Sequence, residues 1–164
     1  MKKLTFASAL LLVLGVILNS GLSVTSAMAA EKDGIMVMDA WSRARPGGSM
    51  MGGAFATIEN KSDHPDRLVS VSSPVADKVQ IHESVMQGGV MKMLERDEIV
   101  LSAGQKVMLK PGSFHVMLMG LKKDLTKGVE FPLTFHFERA GDITVKVHVK
   151  DAGAMGGMGK MKMN

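Results

Sequence analysis

Short runs in which apolar and polar residues alternate make up most of the chain. In GSFHVMLMGL, residues 112–121, Phe114, Val116 and Leu118 alternate on one face as they would in a core strand. Turn-forming sequences such as RPGGSMMGG, NKSDHPD and KPGS separate the runs, and no segment has the period of an amphipathic helix. The pattern predicts an all-β antiparallel sandwich or barrel. The predicted strands are 35–43, 53–60, 67–72, 77–84, 90–95, 98–101, 105–110, 113–119, 131–138 and 142–149.

The first 29 residues have the three parts of a secretory signal. Lys2 and Lys3 form a basic start, an apolar stretch follows, and Ala27-Met28-Ala29 fits the small-x-small cleavage rule. A retained membrane anchor is the alternative, but the apolar run is short of the about 20 residues that a spanning helix needs. We therefore expect cleavage near Ala29, export to the periplasm, and no stable membrane insertion afterwards.

Removing residues 1–29 takes away two lysines and no acids, so the formal charge falls from +4 to +2 for the remaining 164 − 29 = 135 residues. Such a small excess of positive charge does not favour nucleic acid as a partner. The length suits one domain with its own core, which we place at 30–150. The chain has no cysteine, which leaves no disulfide and no thiolate for a nucleophile or a blue-copper centre.

Methionine is the compositional outlier, with 16 in the whole chain. Four of them, Met155, Met158, Met161 and Met163, lie in the glycine-rich tail 151–164, which we expect to be disordered because it has too little apolar bulk to order itself. Met50 and Met51 in a glycine-rich loop are the one pair that could form a second sulfur patch. Met86, Met91 and Met119 either lie near the metal or pack in the core, and we expect packing.

Four residues stand out by their ligand chemistry: His82, Met93, His115 and Met117. The sequence separates them by ten, twenty-one and one residues, and His115 and Met117 share one strand face. Two imidazoles and two thioethers form a neutral, soft donor set, which favours Cu(I) over zinc, calcium or magnesium. Taken singly, His82 would be a surface histidine and the methionines would be core residues. Pairing of the strand at 77–84 with the strand at 113–119 would instead bring the set together.

The set and its surroundings resemble the periplasmic copper chaperones of the PCuAC family. The segments AWSRARP, IHES, GVMKM, LKPGSFHVMLMGLKKDL and FPLTFHFERAG carry the resemblance, and the motif His-x10-Met-x21-His-x-Met is matched in full. The resemblance covers about residues 35–149. It implies a cupredoxin-like, Greek-key antiparallel β-sandwich that binds one Cu(I) through the four residues and hands it on. The implied acceptor is subunit II of cytochrome c oxidase or another copper chaperone. The tail departs from the family, whose extensions carry histidine as well as methionine.

The leading hypothesis from the sequence is therefore a Cu(I) carrier and not an enzyme, since no paired carboxylates, catalytic triad or phosphate loop can be recognised. Two other functions stay open. One is copper sequestration for tolerance without a dedicated acceptor, which the methionine-rich tail favours. The other is an exported β-sandwich that binds a protein partner and no metal.

Overall fold

Eleven β-strands and no helix make up the described part of the molecule, residues 29–155 of the computed structural model. The predicted signal sequence and the tail beyond Met155 lie outside these residues. None of residues 29–155 forms a helix with the length and hydrophobicity to span a bilayer. In chain order the strands are β1 (Ala30–Lys32), β2 (Ile35–Arg43), β3 (Met51–Asn60), β4 (Asp66–Ser72), β5 (Ala76–Gln87), β6 (Val90–Arg96), β7 (Ile99–Leu101), β8 (Lys106–Leu109), β9 (Phe114–Leu121), β10 (Glu130–Phe137) and β11 (Gly141–Lys150).

The prediction of an all-β protein is confirmed, and all ten predicted strands are present. Their ends shift by a few residues, most at β5, which continues to Gln87 instead of ending at 84. Strand β1 is too short to give an alternating pattern and was not predicted. One pair also departs from the antiparallel expectation, because β11 runs parallel to β2.

The strands follow the order β6-β5-β9-β3-β2-β11-β10-β4-β7, with β1 beside β2 and β8 beside β3. Side chains from strands near both ends of this order, such as Ile81 of β5 and Leu101 of β7, belong to one buried cluster. The sheet therefore closes over a single core as a sandwich does. Val116 and Leu118 of β9 are fully buried in that core, as their alternation predicted. His115, Met117 and Met119 alternate with them and face the other way, and this outer face carries the candidate site.

Candidate metal centre

His82 and His115 lie directly opposite each other on β5 and β9. Their ring centroids are 5.9 Å apart and the ring planes are inclined by 66°. The same antiparallel register places Gln80 opposite Met117, so both ligand candidates of β9 project on the same face as His82. The sequence predicted the pairing of these two strands only as one possibility. In the structure this pairing brings together His82, His115 and Met117, three of the four candidates.

The turn that precedes β9 fixes the orientation of His115. Gly112 adopts a φ of 81°, which glycine tolerates best, and Ser113 N donates to the Lys110 carbonyl over 3.1 Å. The Ser113 carbonyl lies 2.9 Å from His115 Nδ1 and also accepts from Ser84 N on β5. Because a carbonyl can only accept, Nδ1 carries the proton of the neutral ring. The Nε2 lone pair of His115 is therefore free to bind a metal ion.

The buried ring nitrogen of His82, Nδ1, has no hydrogen-bond partner among residues 29–155. On the other side of the ring, Nε2 lies 3.4 Å from Gln80 Oε1, and the Gln80 amide nitrogen donates to Glu95. This arrangement favours a proton on Nε2 and a free lone pair on Nδ1. Burial of the ring lowers the pKa of His82, and the nearby His115 lowers it further. The imidazole is thus held in the neutral form that ligates soft metals.

Met93 joins the group from the edge strand β6. It lies opposite Ser84 of β5, two residues from the position opposite His82, and therefore on the same face. Its side chain is 62% exposed, whereas His115 is only 7% exposed. The donor set therefore runs from a buried imidazole to a solvent-exposed thioether.

A cleft of about 200 Å³ opens over this face. Met93, His115 and Met117 are on its wall, and His82 is not. Residues outside the four predicted ligands also line it: Arg43, Arg45, Met51, Gly52, Gly53, Phe55, Ser84, Pro111 and Gly112. A small, open cleft lined by sulfur and imidazole can admit a single ion and still leave room for the ligands of another molecule.

Two arginines make the cleft electropositive. No carboxylate within residues 29–155 forms a salt bridge with Arg43 or Arg45, although the salt bridges of Arg67 and Arg96 are intact. Arg43 Nε donates to the Ala154 carbonyl over 2.7 Å, and Nη2 contacts Met155 Sδ at 3.1 Å. The chain therefore passes the cleft as it leaves β11. Long-range pairing of this kind gives no local signal in the sequence.

Trp41 and Phe55 support the cleft from behind. Their rings are 4.5 Å apart, Trp41 is buried, and Phe55 reaches the cleft wall. Trp41 is therefore a buried residue that packs against Phe55, and Phe55 forms part of the cleft wall.

The expected core packing of Met86, Met91 and Met119 is wrong. Met119 is half-buried on the outer face of β9, opposite Met51. Met86 and Met91 are cross-strand partners near the tip of the β5–β6 hairpin and are 65% and 54% exposed. The hairpin projects beyond the sandwich, so the core cannot reach them. Their alternation with polar residues resembles that of a half-buried strand, and it misled the prediction for this reason.

The structure also brings together a Ser, His and Asp set that the sequence did not reveal. His136 Nε2 is 2.8 Å from Ser72 Oγ, and His136 Nδ1 is 2.7 Å from Asp142 Oδ1. All three lie on the outer face of three adjacent strands, and the Asp142 side chain is 67% exposed. A hydrolytic triad works in a water-excluding site with oxyanion donors. On this open strand face the three residues serve as a cross-strand hydrogen-bond chain.

Residues 35–149 match the protein family described as "Putative lipoprotein LpqE-like". The chain belongs to this LpqE-like family. A related protein of Leifsonia xyli, named "Putative lipoprotein Lxx21020", is 35% identical over 122 residues, which are 74% of this chain and 72% of that protein. The family assignment covers every strand of the site.

Among solved structures, this LpqE-like chain is similar to PCuAC domains. The copper-free PmoF2 domain superimposes with a TM-score of 0.66 at 29% identity, covering 79% of this chain and 99% of that domain. The copper-bound PmoF2 domain superimposes with a TM-score of 0.65 at 27% identity, covering 76% of this chain and 98% of that domain. A Cu(I)-bound solution structure of DR1885 from Deinococcus radiodurans superimposes with a TM-score of 0.55 at 29% identity, covering 77% of this chain and 83% of that protein. The fold of the LpqE-like chain is therefore that of PCuAC domains.

Proposed function

We propose that this protein is an exported Cu(I) carrier that binds one ion through His82, Met93, His115 and Met117 and passes it to an acceptor. The observation that carries the proposal is the pairing of His82 with His115 across β5 and β9, with Met117 and Met93 on the same face. The free Nδ1 of His82 and the free Nε2 of His115 supply two neutral nitrogen donors. Two thioethers complete a set whose softness suits Cu(I).

The exposure gradient of the ligands supports transfer over permanent storage. Met93 is on an edge strand and more than half exposed, so it can leave the ion first. The incoming ligand of an acceptor then enters through the cleft while the more buried His115 still holds the ion. Neutral thioethers bind Cu(I) less tightly than thiolates, so transfer to an acceptor that contains cysteine runs downhill. We propose the dinuclear copper centre of cytochrome c oxidase as that acceptor.

Export rests on the sequence of residues 1–29 and agrees with the lipoprotein names of the relatives. We propose cleavage near Ala29, a periplasmic domain at 30–150 and a tail at 151–164.

Copper sequestration is the second candidate, favoured by the four methionines of the tail. Growth of a deletion strain separates the two functions. Loss of oxidase activity at low copper supports delivery, whereas copper sensitivity with normal oxidase activity supports sequestration.

The proposal is tested by loading the mature protein with Cu(I) under anaerobic conditions and mixing it with a purified oxidase copper domain. We expect one Cu(I) per chain by native mass spectrometry and its appearance on the oxidase domain. A protein that takes up no Cu(I) contradicts the proposal.

A further inference from the structure

A further thioether, Met51, lies on the wall of the cleft outside the four proposed ligands. It begins β3 and is 48% exposed. In the β3–β9 register it is the direct partner of Met119, and Gly53 is the partner of Met117. Two thioethers of the outer face, Met51 and Met119, therefore continue the line of sulfur that Met117 begins.

The spacing allows these sulfur atoms to reach one another. Direct cross-strand partners have Cβ atoms about 5 Å apart, and diagonal positions about 7 to 8 Å apart remain within reach of long side chains. Gly53 has no side chain opposite Met117, and the nearest side chain to its open side is the Phe55 ring, 3.5 Å from where a Cβ would lie. Met51 and Met117 line the same cleft beside this ring, so a Cu(I) ion leaving Met117 has a second thioether on the same wall.

Charge and ligand chemistry make this pair a weak holder of copper. Lys78 lies opposite Met119 across β5 and β9, and Arg43 and Arg45 line the cleft. The arginines face both positions, but Lys78 repels Cu(I) at Met119 in particular, and the pair supplies two donors where the main site supplies four. A pair of thioethers with low Cu(I) affinity, next to a site with higher affinity, suits passage of the ion and not its storage.

We propose that Met51 and Met119 form a sulfur-only transfer position through which Cu(I) enters and leaves the four-residue site. This inference rests on the proposed function, since it needs a copper ion to move. The pair lowers the barrier for ligand exchange by holding the ion while Met93 or Met117 is released. Because it acts on uptake and release alike, it leaves the affinity of the main site unchanged.

The test uses the mature protein carrying one Cu(I), mixed anaerobically with excess bicinchoninate in a stopped-flow instrument. Met51→Ile and Met119→Ile remove sulfur while they retain apolar bulk. Met108→Ile is the matched control, because Met108 is 49% exposed on β8 and does not line the cleft. We expect both pair variants to release copper about threefold more slowly or slower still, with unchanged affinity in an equilibrium competition.

Two results would overturn the transfer position while leaving the proposed function in place. One is release from both pair variants at the rate of Met108→Ile. The other is a loss of affinity in Met51→Ile as large as that in Met117→Ile, since Met51 would then be a resident ligand. A wild-type protein that binds no Cu(I) would overturn the proposed function, and the transfer position with it.

Discussion

His82 and His115 are cross-strand partners, and within the described part of the chain neither Nδ1 of the first ring nor Nε2 of the second has a hydrogen-bond partner. Ser113 fixes the tautomer of His115, and Gln80 with Glu95 favours that of His82. Leaving a buried nitrogen without a hydrogen bond costs free energy in the folded protein. A metal ion that accepts both lone pairs would recover that cost, which explains why such an arrangement is useful to a copper carrier.

Replacing Met117 with Ile removes one sulfur and keeps most of the volume. We expect at least about a tenfold loss of Cu(I) affinity, the effect of about 1.4 kcal/mol of binding free energy. Competition against a chromophoric chelator measures the affinity, and Met108→Ile serves as the control for a methionine outside the cleft. Equal affinity of the two variants would remove Met117 from the ligand set.

Replacing Met93 with Leu separates binding from folding. Because Met93 is 62% exposed, the free energy of unfolding should change by no more than about 0.5 kcal/mol, while Cu(I) affinity falls. Leu118→Ala, in the core directly behind the site, should instead cost about 2 to 5 kcal/mol of stability. Denaturant unfolding of the copper-free protein measures both. A large destabilisation by Met93→Leu would mean that this residue packs instead of binding.

Much of the fold could be predicted from the sequence, because alternation with period two and explicit turn residues mark nearly every strand. The His82 and His115 pairing was predicted only as one possibility, since strand order depends on contacts between residues far apart in sequence. Arg43 and Arg45 were missed as cleft residues for the same reason. The exposure of Met86 and Met91 was predicted wrongly, because alternation does not reveal whether a hairpin extends past the core.

The lowered pKa of His82 predicts a pH dependence for the copper-free protein. Between that lowered value and the unfolded value of about 6.5, the unfolded chain binds more protons at this residue than the folded one. The contribution of His82 to stability is therefore complete above about pH 6.5 and decreases as the pH falls below it. Urea unfolding at a series of pH values measures the effect. His82→Gln should flatten this part of the profile, and an unchanged profile would show that burial does not perturb the ring.

Cu(I) affinity should also decrease with acid, because each histidine must be neutral to ligate. The decrease should begin below about pH 6, and the low pKa of His82 should delay its protonation relative to an exposed histidine. Affinity that stays constant from about pH 7 to pH 5 would mean that sulfur alone holds the ion.

Truncation after Lys150 should leave one tightly bound Cu(I), because all four proposed ligands precede it. It removes the contacts of Arg43 with Ala154 and Met155, so weak additional uptake and the rate of capture should decrease. A second truncation, after Met155, keeps those contacts and removes the other three tail methionines. Mass spectrometry of both forms counts the bound copper. Loss of the tight ion on truncation would mean that the tail supplies a ligand.

X-ray absorption of the mature protein loaded with one equivalent of Cu(I) identifies the atoms bound to the metal. We expect a first coordination shell of two nitrogen and two sulfur atoms from His82, His115, Met93 and Met117. Met117→Ile should lose one sulfur from this shell, and His82→Gln should lose one nitrogen. A shell without sulfur, or a shell that neither substitution changes, would contradict the proposed four-residue Cu(I) site.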